Sequence, residues 1–111
     1  PVKIGGSSYV PPLPIETIVK EQLSKILLRD MPSDEKAIAL CLYCMKTQIF
    51  LDGNKRASVI FANHYLISQG GGMLIIPEKE VPEFKRLLVA FYEDRDDAIY
   101  QFMKQRCLQP F

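Results

Sequence analysis

Apolar residues recur every three or four positions from Ile15 to Leu28: Ile15, Ile18, Val19, Leu23, Ile26 and Leu27 share a stripe. Glu16, Lys20, Glu21, Lys25 and Arg29 fall on the opposite face, a spacing that predicts an amphipathic first helix. Met31-Pro32 ends it, and Ser33 followed by Asp34 and Glu35 predicts a capped start to the second. From Ala37 to Met45 the pattern is apolar almost all round, as in a helix buried at the centre of a fold. This helix is expected to end near Gln48 to Phe50. A third is expected from about Asn54 to Gln69, where Val59-Ile60-Phe61-Ala62 and Tyr65-Leu66-Ile67 are again apolar on most sides. Two central helices should therefore meet at a short loop. Gly70-Gly71-Gly72 stops the third helix, and Met73 to Ile76 reads as extended. Val81, Phe84, Leu87, Leu88 and Phe91 predict a fourth helix with Pro82 in its first turn. Asp94-Arg95-Asp96-Asp97 reads as a turn with capping carboxylates rather than a metal site. Ala98, Ile99, Phe102, Met103 and Cys107 mark a fifth helix.

Ahead of the helices, Val2-Lys3-Ile4 and Tyr9-Val10 are short extended pieces around Gly5-Gly6-Ser7-Ser8. An edge strand without a partner can accept a peptide by strand addition. Its partner strand is expected in a preceding part of a longer protein, from which this chain, opening on Pro1, reads as excised. Pro11-Pro12-Leu13-Pro14 satisfies a bare P-x-x-P, but helical periodicity follows at once, so a stiff lead into the first helix is the better reading. The expected fold is an all-α bundle with a short N-terminal β strand and no internal repeat. Residues 1–14 form the strand and proline-rich lead, and 15–111 the helical core.

Composition narrows the function classes. With 111 residues, 48% of them hydrophobic and 24% charged, the chain is one domain able to bury a core. A net charge of +1 supplies no general field for nucleic acid. No apolar run approaches the roughly 18 residues of a membrane span and no signal peptide is visible, so a cytoplasmic protein without membrane or nucleic-acid partners is expected. Three cysteines agree with a reducing compartment. Cys41 and Cys44 make a C-x-x-C, but they lie within the apolar run and no second pair exists, so they read as buried structural thiols.

The loop between the central helices carries the candidate chemistry: Gln48-Ile49-Phe50-Leu51-Asp52-Gly53-Asn54-Lys55-Arg56. Lys55 and Arg56 open a helix at the positive end of its dipole, where acidic residues would be favoured by roughly 0.3–1 kcal/mol. Violations of local preference tend to mark function. Amides at a helix start attract anions, and Gly53 lets the loop curl so that several N–H groups converge. Spacing alone leaves two readings: a phosphate pocket, or a plain turn in which Asp52 or Asn54 caps the helix and both cations are solvated. The nine residues are not a P-loop, because no strand precedes them and no G-x-x-x-x-G-K-S/T is present.

Gln48-x-Phe50-x-Asp52-Gly53-Asn54-Lys55-Arg56 resembles the signature of the Fic/Doc family, usually His-x-Phe-x-Asp/Glu-Gly-Asn-Gly/Lys-Arg. The N-terminal strand, the proline-rich lead, the central helix before the motif and the closing Phe91-Tyr92-Glu93-Asp94 and helix extend the similarity over nearly the whole chain. The resemblance implies a Fic-type helical bundle that uses ATP and Mg²⁺. Members typically move AMP from ATP onto a protein hydroxyl, and Doc-type relatives transfer a phosphoryl group. It implies Asp52 as the Mg²⁺ ligand, Gly53, Asn54, Lys55 and Arg56 around the phosphates, Arg56 as a catalytic clamp, and Phe50 as the loop's anchor. Lys3, Ile4, Gly5 and Gly6 would belong to a flap that aligns a protein target presenting a hydroxyl.

Two positions depart from the family pattern. Gln48 stands where the motif histidine acts as general base, and Val59 where many members carry a second arginine. Lys55 in place of glycine is the Doc-like variant. A glutamine amide orients a hydroxyl but does not take its proton near neutral pH, a loss on the order of 10²–10⁴ in rate. His64 does not replace it: eight residues past Arg56 on one helix, it stands roughly 12 Å along the axis. Two functions follow from the resemblance: a weakened or altered Fic-type enzyme, or a catalytically silent Fic domain serving as a regulatory or protein-interaction module. A helical interaction domain without a ligand at the loop is the third alternative.

Overall fold

The computed structural model describes residues 16–47 and 54–109 of the chain. Among these, five α-helices carry the architecture: α1 (Glu16–Leu27), α2 (Ser33–Thr47), α3 (Asn54–Ser68), α4 (Val81–Tyr92) and α5 (Ile99–Arg106). β1 (Met73–Leu74) and β2 (Leu108–Gln109) pair antiparallel, Met73 opposite Gln109 and Leu74 opposite Leu108. The expected all-α class holds. The strand expected at residues 1–14 lies outside the described residues, and the small ladder among the described residues joins the segment after α3 to the segment after α5.

α2 is the central helix. Every residue from Ala37 to Met45 is buried except the half-buried Tyr43, as a segment apolar on all sides must be. Its Ile38, Cys41, Leu42 and Met45 share one core with Ala62 and Leu66 of α3, Phe84 and Leu88 of α4, and Ile99 and Met103 of α5. The Pro32 carbonyl accepts the Lys36 amide at 3.0 Å, so Ser33 is the first helical residue rather than the cap. Asp34 takes up one free amide there, accepting from the Glu35 N–H at 2.8 Å.

Two expectations need correction. α3 is not buried on most sides: Ser58, Ala62 and Leu66 are buried, while Ile60, Phe61 and Ile67 are exposed. Among the described residues α3 packs mainly on α2 and β1, so apolarity around its circumference does not translate into burial. On α1, Ile26 is buried, but Ile18 and Leu27 from the same sequence stripe are exposed. α1 buries a narrower seam than the stripe offers, Ile26 packing with Ala39 and Leu40 of α2.

α3 ends where the glycines place it. Gly70 has φ +69°, a left-handed backbone that costs glycine least, and the Gly71 N–H reaches back to the Leu66 carbonyl at 3.1 Å. A Cβ at Gly71 would come within 2.5 Å of Leu66 Cδ1, so close packing also calls for glycine there. At the end of α4 the same left-handed turn is made by Asp94, φ 56°, with the Arg95 amide donating to the Ala90 carbonyl at 2.9 Å. Asp96 then accepts from the Ala98 N–H at 3.0 Å, the capping role expected of this acidic turn.

Asn63 explains a polar residue within apolar α3. Its Nδ2 donates to the Leu74 carbonyl at 2.8 Å, and its Oδ1 accepts from the Leu74 N–H at 2.6 Å. On the other side the Ile75 N–H donates to the Cys107 carbonyl at 2.8 Å. Asn63 thus stands in for a third strand and fixes β1 to α3. Asn63→Ala, which leaves both Leu74 groups unpaired, is expected to cost about 1–3 kcal/mol in urea unfolding. An unchanged midpoint would mean that the ladder to β2 alone holds the strand.

Candidate anion site at the start of the third helix

The site is framed by two fixed helix ends. The C-terminal end of α2 is tied to the α4–α5 turn through Lys46, whose ammonium bonds Asp94 and the Phe91 carbonyl and stands 5.1 Å from the Phe91 ring centre. α3 resumes at Asn54, and its first turn contains no acidic residue. Lys55 and Arg56 are both exposed there and, among the described residues, form no ion pair. The first-turn amides of any helix lack intrahelical partners, so backbone donors, the dipole's positive end and two cations converge.

From these cations a groove of about 480 Å³ runs along α3, between it, the β1 segment and α4. Lys55, Val59 and Asn63 follow one another at helical spacing on its α3 wall, with Arg56 and Ile60 beside them. Ile75, Phe84 and Lys85 contribute from the opposite side. Sequence reasoning missed this groove and Lys85 with it, because three elements distant in sequence build it.

The expected site residues divide accordingly. Lys55 and Arg56 are brought together on one turn, and Asn54 is the first residue of α3. Gln48, Phe50, Asp52, Gly53 and the flap residues Lys3, Ile4, Gly5 and Gly6 lie outside the described residues. Val59 packs against the core, which agrees with a valine at that position. His64 is exposed on α3. Among the described residues no three His, Cys, Asp or Glu side chains cluster as metal ligands.

The C-x-x-C cysteines are structural. Cys41, Cys44 and Cys107 are free and buried. Burial pushes the Cys44 thiol up to about 12. Burial, with Glu80 adding, pushes Cys107 to about 11, and Cys41 is also raised, first by burial and then by the neighbouring thiols. Thiol reagents should therefore spare the native protein at neutral pH and label all three cysteines after unfolding. Since folding raises these values above the ordinary 9.0, the thiol contribution to stability is complete below that pH and is lost as pH climbs through 11 to 12. The expected slope is up to about 1.4 kcal/mol per pH unit for each thiol. Replacing Cys44 by alanine should flatten it.

Compared with models of protein families, with characterised proteins and with solved structures, the chain finds no match in any of the three. No helix among the described residues is long and apolar enough to cross a membrane.

Proposed function

We propose that the start of α3 is the phosphate subsite of a Fic-like nucleotide-handling domain. The observation that carries this reading is a helix N-terminus with two exposed cations, unpaired among the described residues, and no acidic residue in its first turn. The motif Phe50-x-Asp52-Gly53-Asn54-Lys55-Arg56 supplies the rest by its resemblance to the Fic/Doc signature. In this reading the first amides of α3 and the Lys55 ammonium hold phosphate oxygens, and the planar Arg56 fork takes two of them. A Mg²⁺ ion held by Asp52 would neutralise charge that builds on the transferred phosphorus. Gln48 orients the target hydroxyl, while Lys3 to Gly6 align the target segment by backbone pairing. AMP transfer joins the hydroxyl oxygen to the α-phosphorus and releases pyrophosphate. Doc-type transfer joins it to the γ-phosphorus and releases ADP.

A second reading rests on Gln48. Without a side chain that takes the proton, the same pocket can hold nucleotide as a regulatory or protein-interaction module without turnover. ATP labelled at the α- or the γ-phosphate separates the outcomes. Protein-bound α-label that disappears with Asp52→Ala supports AMP transfer, and γ-label supports phosphoryl transfer. Saturable binding with neither label supports the silent module, and absence of binding contradicts both.

A further inference from the structure

Beyond nucleotide phosphates, we propose that the groove between α3, β1 and α4 binds a single-chain anionic amphiphile. Its carboxylate or phosphate head would sit at Lys55 and Arg56, and its alkyl chain along Ile60, Ile75 and Phe84. The polarity of the groove is ordered along α3. Cations occupy the first turn, and Val59 and Ile60 follow one turn on. Among the described residues, Lys55, Arg56 and Lys85 line the groove, no Asp or Glu does, and none of the three cations is paired. Ile60, Met73 and Ile75 are 60%, 38% and 37% exposed there, apolar surface that an alkyl chain would cover.

The groove's polar groups discriminate between occupants. Among the described residues, Asn63 is the only uncharged polar side chain in the lining, and both ends of its amide are bonded to Leu74. The Leu74 N–H and carbonyl are thereby closed to an added strand, and the Ile75 N–H is committed to Cys107. A nucleobase or an extended peptide would bury its polar edge without partners, a costly arrangement. A docked helix satisfies its own backbone, but at roughly 10 Å across it would fill 480 Å³ in about one turn. The volume is that of a small-molecule site, and an alkyl chain asks for no hydrogen bonds.

The test is calorimetric titration of the full chain with octanoate, decanoate and dodecanoate below their micellar concentrations, with dodecyl phosphate and dodecanol as head-group arms. One saturable site is expected, tightening about fourfold for each methylene. Comparison of dodecanoate with dodecyl phosphate decides which head is preferred. Arg56→Gln should weaken the acids without affecting dodecanol. Ile60→Asp, on an exposed helix position, should erase the chain-length dependence while leaving the melting curve intact. Affinity independent of chain length would reduce the site to a simple anion site and overturn the proposal. Binding unchanged by Ile60→Asp, or multiple unsaturable binding, would overturn it too.

Discussion

Gln48→His is expected to raise transfer from ATP to protein by about 10²–10⁴-fold. Asp52, Gly53, Asn54, Lys55 and Arg56, the proposed phosphate-binding groups, resemble the Fic/Doc pattern, and the group that differs is the one that would remove a proton. An imidazole with an ordinary pKa near 6.5 is largely available as a base at neutral pH, whereas an amide is not. The gain should appear in kcat rather than KM, because proton removal stabilises the transition state and leaves ground-state binding untouched. Arg56→Ala in the same background should abolish it. If Gln48→His gives no label while nucleotide still binds, the enzymatic reading fails and the silent module stands.

Leu42→Ala is expected to cost about 2–5 kcal/mol. Leu42 is completely buried near the middle of α2, in the cluster where α2, α3, α4 and α5 meet. Those helices share this core cluster with α2, so a cavity there affects all of them. Against a total stability of roughly 5–15 kcal/mol, the loss should lower the melting temperature by about 10–20 °C. Leu28→Ala is the matching control: Leu28 is 85% exposed, and its truncation should stay within about 0.5 kcal/mol. Equal losses at the two positions would contradict the central placement of α2.

The same contrast shows how much the sequence discloses. The α2 segment could be placed because a run apolar on every side has one stable location, the interior. The triple glycine and Asp94 to Asp97 were legible because left-handed turns and caps need particular side chains within a few residues. The β1–β2 ladder was not: two residues on each side give no alternating pattern, and what fixes β1 is the side chain of Asn63 in α3, eleven residues before Leu74. Ile60 and Phe61 looked internal because hydropathy reports what a residue prefers and not whether a neighbour is there to cover it. At the site, Lys55 and Arg56 could be singled out by their conflict with the dipole. Lys85 could not, since nothing local marks it.

The central claim is a phosphate site at the start of α3, and the most direct measurement is a thermal-shift titration with ATP, ADP and AMP, each with and without Mg²⁺. The full chain and its Arg56→Ala variant are compared. A ligand at 100 times its dissociation constant adds about 2.7 kcal/mol, a shift large enough to read directly. The expected result is a Mg²⁺-dependent rise with ATP that Arg56→Ala removes. Identical melting curves at millimolar nucleotide, or a rise that persists in Arg56→Ala, would contradict it.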